Sequence, residues 1–330
     1  MRYTTIGSNS PAAREVSVLS LGTMWFGTRT DEETSFAVLD RYVAAGGNFI
    51  DTSNNYLFFV NGTQGGESET VLGRWRASRG IGDEIVIATK VGARPIAPAT
   101  AWDTPREGLS RAAIREASTR SRGRLGVERI DLYYAHIPDQ TGAPLEEQVA
   151  AFGELVADGT VGLLGLSNHW AWQVERARSL AAAAGTARSD VLQYHHTYLR
   201  MRTDIADRPW SVDGEAGAAD GSILSYVRAE PGTTLVAYSP LIGGAYTRPD
   251  KELWRGYDHP GTRARLEALD QVVKETGATA NQVVLAWLIG GDLPVVPLVG
   301  ASSVAQLDES LAAIDLELSA EQRKLLDAAN

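Results

Sequence analysis

The sequence lacks cysteine and is short of positive charge. Without cysteine there are no disulfides, thiolate metal ligands or cysteine nucleophiles, and this suits a reducing compartment, so we expect a cytoplasmic protein. There are 31 Lys and Arg against 41 Asp and Glu, a formal net charge of −10. Because an acidic surface repels phosphate backbones, we expect neither nucleic acid nor an anionic membrane as a partner. The polar start, MRYTTIGSNS, and the lack of a run of about 18 apolar residues predict no signal peptide and no transmembrane helix.

Several motifs that bind phosphate or metal are also absent. No G-x-G-x-x-G follows a first strand, and neither G-x-x-x-x-G-K-[ST] nor H-E-x-x-H occurs. His195 and His196 are adjacent, so on a strand they would point to opposite faces. His169 and His259 are scattered. We therefore expect no metal site and no Rossmann dinucleotide domain.

The chain instead shows a regular alternation of short apolar runs and longer amphipathic stretches. Runs rich in Val, Ile and Leu, as buried parallel strands are, cover residues 21–26, 48–51, 85–90, 130–136, 161–167, 191–195, 234–238 and 295–299. Helical patterns cover residues 31–45, 67–77, 105–122, 144–157, 171–184, 222–228, 262–276 and 303–313, with an extra helix at 278–290. The alternation predicts an α/β fold, a (β/α)₈ TIM barrel in one domain over residues 1–330. A doubly wound open sheet is the alternative.

Segments outside this alternation also carry predictions. Residues 2–6 and 15–19 form two short extended pieces before the first run, separated by a turn-like stretch. Long loops follow the second, sixth and seventh runs at residues 57–66, 199–221 and 241–260. In a barrel these loops lie at the C-terminal face, where active sites are built. The alternative is that they are tolerated surface insertions.

Ionisable residues close three consecutive runs: Asp51, Lys90 and His136, with Tyr56 shortly after the first. Charges at partly buried strand ends cost free energy unless they are paired, and in a barrel these ends converge. A Lys beside a Tyr should lower the pKa of the phenol from about 10. The Tyr could then act as a general acid, with the His positioning a carbonyl oxygen and a cofactor supplying hydride. Taken singly, each residue is more simply a solvated strand end or a packing group.

The motifs around these residues resemble the aldo-keto reductase superfamily over nearly the whole chain. The resemblance implies a barrel preceded by a β-hairpin, and a tetrad of Asp51, Tyr56, Lys90 and His136 with Tyr56 as the general acid. The implied activity is NAD(P)H-dependent reduction of an aldehyde or ketone. The segments that carry it are NFIDTSNNY (48–56), IVIATK (85–90), IDLYYAH (130–136), VGLLGLSN (161–168), AYSPL (237–241) and VGASSVAQLDESL (299–311).

The resemblance also implies a site for a nicotinamide cofactor. Residues 300–306 contain no basic side chain, although many relatives place one there for the 2′-phosphate. Because a hydroxyl binds phosphate more weakly than a guanidinium does, NADP(H) is expected but NAD(H) or dual use stays open. Ser310 also replaces an Asn common in the family. The implied cofactor residues are Gly22, Thr23, Asp51, Ser167, Asn168, Gln193, Tyr238, Ser239, Pro240, Leu241, Gly300, Ser302, Ser303, Gln306, Glu309 and Ser310.

The sequence predicts less about the substrate and about partners. A small carbonyl compound is expected, in a partly aromatic cleft that takes more than a simple aldehyde. A homo-oligomer is compatible with the sequence but is not predicted. The alternative function is a cofactor-binding regulatory protein on the same fold, like the accessory subunits of ion channels. A hydrolase or isomerase on this barrel would leave Lys90 and Tyr56 without a purpose. The residues expected to line the cleft are Trp25, Phe58, Phe59, Trp170 and Trp210.

Overall fold

A computed structural model describes residues 1–60, 62–99, 104–202, 204 and 217–330. Eight parallel strands form a closed barrel, preceded by a two-stranded antiparallel sheet. The strands are β1 (Tyr3–Ile6), β2 (Arg14–Ser17), β3 (Ser20–Gly22), β4 (Phe49–Asp51), β5 (Val86–Val91), β6 (Ile130–Ala135), β7 (Val161–Ser167), β8 (Ser189–His195), β9 (Thr234–Tyr238) and β10 (Val295–Gly300). The helices are α1 (Glu32–Ala44), α2 (Glu67–Arg79), α3 (Arg111–Leu125), α4 (Leu145–Ala157), α5 (Ala171–Ala183), α6 (Gly221–Ala229), α7 (Pro260–Thr276), α8 (Ala280–Ile289), α9 (Val304–Ala312) and α10 (Ala320–Ala328).

The pairing of the last strand with the first closes the sheet. Strand β10 pairs with β3 on one side and with β9 on the other. The barrel predicted from the sequence is thus confirmed, and the open sheet is wrong. Strand β3 is shorter than the predicted run at 21–26, because the chain turns after Gly22. The Phe26 amide donates to the Thr23 carbonyl at 3.0 Å, and Gly27 to Thr30 at 2.9 Å.

The N-terminal hairpin closes the end of the barrel opposite the strand C-termini. Strands β1 and β2 pair antiparallel, as the two extended pieces predicted. Ile6 and Val16 are fully buried and pack in one cluster with the residues of the barrel interior. Arg14 forms an ion pair of 2.8 Å with Asp131, near the start of β6. The hairpin is therefore part of the core.

The two-residue period of the strands determines what faces the barrel interior. Val86 and Ala88 of β5 lie in the interior cluster, and so does Phe49 of β4. Continuing the alternation by two residues turns Lys90 and Asp51 inward at the C-terminal end. The same register gives this end a ring of inward positions: Asp51, Lys90, His136, Ser167, Gln193, Tyr238 and Gly300. Apolar side chains thus fill the barrel below a polar mouth.

Two helices depart from the sequence prediction. Helix α3 begins at Arg111, not at residue 105, because the Ser110 side chain accepts a hydrogen bond from the Ala113 amide at 3.3 Å and caps the helix there. The preceding segment is held by Glu107, which accepts from the Gly92 amide at 2.8 Å. Helix α10 was not predicted. It begins with a capping box in which Ser319 and Gln322 exchange hydrogen bonds.

The described part of the chain lacks both a membrane-spanning helix and a cluster of metal-binding side chains. None of its helices is long and apolar enough to span a membrane. It also contains no group of three or more His, Cys, Asp or Glu side chains placed to hold a metal ion. Most of the loop after β8, including Trp210, lies outside the described residues.

Candidate active site

The centre of the barrel mouth is a buried ion pair between Asp51 and Lys90. Both side chains have no exposed surface, and the Lys90 Nζ contacts Asp51 Oδ1 directly. The second carboxylate oxygen, Oδ2, accepts from Gln193 Nε2 at 2.7 Å. Every strong contact of this carboxylate is therefore with a donor from the protein. A buried charge needs such pairing, and here it is provided across strands β4, β5 and β8.

Lys90 has three acceptors for its three ammonium protons. Besides Asp51, the Nζ donates to the Thr52 carbonyl at 2.7 Å and to the Tyr56 hydroxyl oxygen at 2.7 Å. Burial lowers the pKa of Lys90, and the adjacent Asp51 opposes that shift. A neutral amine would have only two protons for three acceptors. The geometry therefore matches the charged form.

Tyr56 lies between this pair and the open mouth. Its hydroxyl donates to Asp51 Oδ1 at 3.0 Å while its oxygen accepts from Lys90. Desolvation raises the pKa of Tyr56 well above its usual value of 10.0, and the Asp51 charge raises it further. The expectation that Lys90 lowers this pKa is wrong for this structure, because burial of the phenol and the adjacent Asp51 charge outweigh the effect of the ammonium. The protonated phenol is the stable form, and this is the form that can donate a proton.

His136 lies on the other side of the mouth. The rings of Tyr56 and His136 meet edge-on with centroids 6.0 Å apart, and both residues are partly exposed. The His136 carbonyl accepts from Asn168 Nδ2 at 2.8 Å, and its amide donates to Val91 at 2.8 Å. Desolvation lowers the pKa of His136 well below 6.5, and Lys90 and Arg106 add to the shift. The ring is therefore neutral at pH 7. All four residues of the predicted tetrad meet at this mouth.

Sequence reasoning missed two residues that hold this arrangement. The Ser53 Oγ lies 3.1 Å from His136 Nδ1. Glu107 Oε1 accepts from Asn54 Nδ2 at 2.9 Å, and burial raises the pKa of Glu107. One signal was available: residues 51–55 are five consecutive polar residues after an apolar strand, and all are buried. Buried polar groups need hydrogen-bond partners, so a polar run of this kind indicates a hydrogen-bonded network at the end of the strand.

The residues expected at the carboxamide form one hydrogen-bonded group. Ser167 donates to the Gln193 carbonyl at 2.9 Å and accepts from Asn168 Nδ2 at 2.9 Å. Asn168 Oδ1 accepts from the Tyr238 hydroxyl at 2.8 Å. Asn168 has a positive φ of 61°, and Ser239 has one of 50°, each directly after a barrel strand. Such strained positions cost about 1–3 kcal/mol and cluster at functional sites.

The remaining residues on the nicotinamide and pyrophosphate sides differ in how accessible they are. Thr23 is fully buried, and its hydroxyl donates to the Asp51 carbonyl at 3.0 Å. Its side chain therefore supports the strand end and does not face the mouth. Gly22 and Leu241 are partly exposed, whereas Pro240 is buried and its carbonyl accepts from Thr197 at 2.5 Å. The backbone of this loop, more than its side chains, is what a cofactor could contact.

The start of α9 is the segment expected to hold the adenosine end of the cofactor. Its backbone and side-chain polar groups are hydrogen-bonded to each other. Gln306 Oε1 accepts from the Ser302 amide at 2.8 Å and from its hydroxyl at 2.9 Å. Ser303 caps the helix by accepting from the Gln306 amide at 3.3 Å. Glu309 is engaged by Thr279 at 2.8 Å. Gly300 is exposed, whereas Ser310 is buried. Phosphate binding here requires the Gln306 side chain to move aside.

The aromatic residues expected at the substrate cleft do not behave alike. Phe58 is only 1% exposed and packs edge-on against Phe59, which is partly exposed. Trp25 is partly exposed and lies under the guanidinium of Arg29, at 4.4 Å. Trp170 is partly exposed at the start of α5. The fifth residue, Trp210, is outside the described residues. Phe59, Trp25 and Trp170 thus have exposed surface that a ligand could contact, whereas Phe58 is buried against Phe59.

The donor set at the mouth fits the nicotinamide end of a dinucleotide better than it fits a metal. The hydroxyl of Ser167 and the amides of Asn168 and Gln193 suit a neutral carboxamide. Their protons are largely committed, since Asn168 Nδ2 donates to both His136 and Ser167. Binding a carboxamide would therefore exchange one of these bonds for a new one. Chemically, the arrangement can hold a proton on Tyr56 beside a fixed positive charge.

Comparison with known proteins agrees with this geometry. The sequence profile described as the aldo/keto reductase family matches residues 18–330. The chain is 31% identical to the uncharacterized oxidoreductase YrpG of Bacillus subtilis (strain 168), covering 99% of this chain and 95% of that protein. It is 32% identical to the norsolorinic acid reductase stcV of Emericella nidulans, covering 94% and 77%. It is 30% identical to an NADP(+) aryl-alcohol dehydrogenase of Phanerodontia chrysosporium, covering 95% and 81%.

Proposed function

This chain belongs to the aldo/keto reductase family of oxidoreductases, and from that premise we propose that it reduces an aldehyde or ketone to an alcohol with NAD(P)H. The observation that carries the proposal is the contact of Tyr56 with both Lys90 and Asp51 at the barrel mouth. A neutral phenol beside a fixed ammonium can give up a proton where negative charge develops on a carbonyl oxygen.

In the proposed reaction a reduced nicotinamide, when bound, supplies hydride to the carbonyl carbon. The Tyr56 hydroxyl turns from Asp51 toward the carbonyl oxygen and transfers its proton to it. The Lys90 Nζ, 2.7 Å from the Tyr56 oxygen, stabilises the phenolate that is left. Asp51 keeps the ammonium charged and in place. Water from the mouth then returns a proton to Tyr56.

The cofactor would lie across the mouth, from Gln193 and Tyr238 to the start of α9. We propose NADP(H) as the preferred form, with NAD(H) also accepted. The name of the aryl-alcohol dehydrogenase specifies NADP(+), and this supports the preference. The absence of a basic residue between Gly300 and Gln306 weakens it. The preference therefore depends on groups elsewhere on the surface.

We propose a small carbonyl compound, with an aryl group, as the substrate. The partly exposed rings of Trp25, Phe59 and Trp170 could pack against a flat apolar body. The word aryl in the name of a relative that is 30% identical supports the same class. A carbonyl on such a body would reach Tyr56 at the partly exposed centre of the mouth.

A titration of tryptophan fluorescence with NADPH, and separately with NADH, tests the proposal. We expect saturable quenching by both, with tighter binding of NADPH, and oxidation of the cofactor when an aryl aldehyde is added. Equal or tighter binding of NADH would keep the reductase and overturn the cofactor preference. Binding without turnover of any carbonyl would favour the cofactor-binding regulatory protein. If neither nucleotide binds, the proposed function is wrong.

A further inference from the structure

A second buried carboxylate lies behind the tetrad, on the outer side of strand β5. Glu69, in the first turn of α2, has no exposed surface. Its Oε1 accepts from the Thr89 hydroxyl at 2.6 Å, and its Oε2 accepts from Arg124 Nε at 2.6 Å. The proposed mechanism uses none of these three residues. Thr89 directly precedes Lys90, so this carboxylate is hydrogen-bonded to the residue beside the one that carries the ammonium.

The two-residue period of β5 places a carboxylate on each side of the strand. It turns Lys90 toward the mouth and Thr89 toward the helices. Asp51 contacts the Lys90 ammonium directly on the inner side, and Glu69 lies on the outer side. Burial lowers the pKa of Lys90, and the charges of Asp51 and Glu69 oppose that shift. Because the protein interior screens charge weakly, a carboxylate without direct contact can still favour the ammonium.

The other groups in this region leave the two carboxylates as its negative charges. Burial raises the pKa of each tyrosine and lowers that of the histidine, so these four rings are neutral at pH 7. Asp51 and Glu69 both favour a charged Lys90. The titratable and charged groups around Lys90 and Glu69 are Asp51, Tyr56, Tyr133, Tyr134, His136 and Arg124.

Keeping Glu69 ionised in the interior costs free energy, and two helices provide the compensation. The first turn of α2 favours a negative charge through the helix dipole, and Arg124 of α3 pairs with the carboxylate. A neutral side chain could connect α2 to the barrel without this cost. Ser68 does so in the same turn, since its buried hydroxyl donates to the Thr23 carbonyl at 2.8 Å. The charge of Glu69, more than its hydrogen bond, therefore indicates a role.

We propose that Glu69 is a positioning residue that keeps Lys90 charged from behind the strand and thereby extends turnover to higher pH. This inference rests on the proposed function, in which the Lys90 ammonium stabilises the Tyr56 phenolate. Glu69 is buried on the outer side of β5, so it does not contact a ligand at the mouth. Its loss should therefore change the pH at which Lys90 loses its proton and leave cofactor binding intact.

The charge of Lys90 can be followed without turnover, because the chain contains four lysines. In protein labelled with ¹³C at the lysine Cε, the Lys90 signal is the one that remains when each of the other three is replaced by Arg. In Glu69→Gln this signal should titrate about one pH unit lower than in the wild type, the low end for a nearby opposite charge. The lysines are Lys90, Lys251, Lys274 and Lys324, of which the last three are exposed.

Two further variants keep this test decisive. Glu69→Gln combined with Arg124→Gln leaves no buried charge unpaired, so it serves if the single variant does not fold, and its titration should shift in the same direction by less. Ser68→Ala is the matched control, because it removes buried hydrogen bonds from the same turn without removing a charge. It should leave the Lys90 titration where it is in the wild type.

Turnover provides the second readout. With NADPH and an aryl aldehyde, kcat should fall as pH rises and Lys90 loses its proton. In Glu69→Gln this fall should begin about one pH unit lower, while binding of NADPH is unchanged. An unchanged Lys90 titration in both Glu69 variants, or an equal shift in Ser68→Ala, would overturn the proposal. If the wild-type protein turns over no carbonyl, the proposed function has failed instead, and the lysine titration still decides the effect of Glu69 on Lys90.

Discussion

The two ends of the proposed cofactor site, the barrel mouth and the start of α9, differ in how completely their polar groups are paired within the protein. At the barrel mouth, Asp51 and Lys90 have no exposed surface, and the Lys90 ammonium has an acceptor for each of its three protons. At the start of α9, Ser302 and Gln306 are exposed and bond to each other. The first end is organised for charge development before any ligand arrives, as electrostatic catalysis requires. The second must rearrange to bind. Catalysis and cofactor choice should therefore respond independently to substitution.

The largest expected effect is the loss of turnover in Tyr56→Phe, at the barrel mouth. Removing the hydroxyl removes the proton donor, so kcat should fall by about 10³-fold, within the range for general acids. The dissociation constant of NADPH should change by less than about twofold, since the ring remains. Stopped-flow turnover and fluorescence titration measure the two. The matched control is Tyr133→Phe, a buried Tyr whose hydroxyl has no hydrogen-bond partner in the described chain. Turnover surviving in Tyr56→Phe would mean that another group donates the proton.

Lys90→Met tests whether the same end depends on charge pairing. The substitution leaves the Asp51 carboxylate buried beside an apolar side chain, which should cost about 3–5 kcal/mol in the free energy of unfolding. Urea denaturation measures the loss. Adding Asp51→Asn to Lys90→Met removes both charges and should recover much of the stability without restoring turnover. A single variant as stable as the wild type would show that water reaches the carboxylate.

The pH dependence of stability sharpens the comparison further, because His169 is buried just after β7 at the barrel mouth, whereas residues 300–310 at the other end contain no histidine. Burial lowers the pKa of His169 from 6.5 to about 4, while its Nδ1 lies 2.8 Å from the Ser167 carbonyl. The unfolded chain binds a proton near pH 6.5 and the folded chain does not, so stability is complete above pH 6.5 and falls toward pH 4. This amounts to roughly 3 kcal/mol at 1.36 kcal/mol per pKa unit.

Urea denaturation at pH 7 and at pH 4.5 measures this difference in the free energy of unfolding. His169→Gln should reduce the acid loss, because the group that titrates is gone. His259→Gln is the control, since that histidine lies near the surface. An identical acid loss in wild type and His169→Gln would assign the effect to other groups.

The smallest expected effect is on cofactor preference, at the start of α9. Ser302→Arg provides the guanidinium that residues 300–306 lack and should tighten NADPH about tenfold relative to NADH. Ser302→Gln has a similar reach without charge and should leave the ratio unchanged. Both are read by fluorescence titration, and kcat should stay within about twofold in each. A fall in kcat would mean that the two ends are coupled.

Much of the fold could be predicted because two patterns in the sequence agree, the spacing between apolar runs and the alternation of side chains within each strand. The apolar runs recur at barrel spacing, and the alternation within each strand turns Asp51 and Lys90 inward. The wrong start of α3 depends in part on a contact between distant segments. The start of α3 follows from Ser110 and Glu107, and the latter binds Gly92 across a loop. No local pattern at residue 105 reports that contact.

The site could be predicted as a set of residues but not as a set of protonation states. The tetrad converges as expected, because three members end neighbouring strands. The pKa of Tyr56 was predicted in the wrong direction, since the sequence indicates that Lys90 is nearby but does not show that the phenol is desolvated and hydrogen-bonded to Asp51. Ser53 was overlooked because a small hydroxyl in a polar run has no distinctive pattern. The cofactor and substrate residues remain predictions.

The hairpin of β1 and β2 has a consequence for the order in which ligands bind and leave. Ile6 and Val16 close one end of the barrel, and apolar side chains fill its interior, so the part of the barrel that the structure describes is open only at the mouth. Two ligands that enter through the same opening cannot bind and dissociate independently of each other. In the proposed reaction Gln193 would help to hold the nicotinamide, and the carbonyl compound would bind at the same mouth. Under the proposed function the cofactor would therefore bind before the carbonyl compound, and the alcohol would leave before the oxidised cofactor.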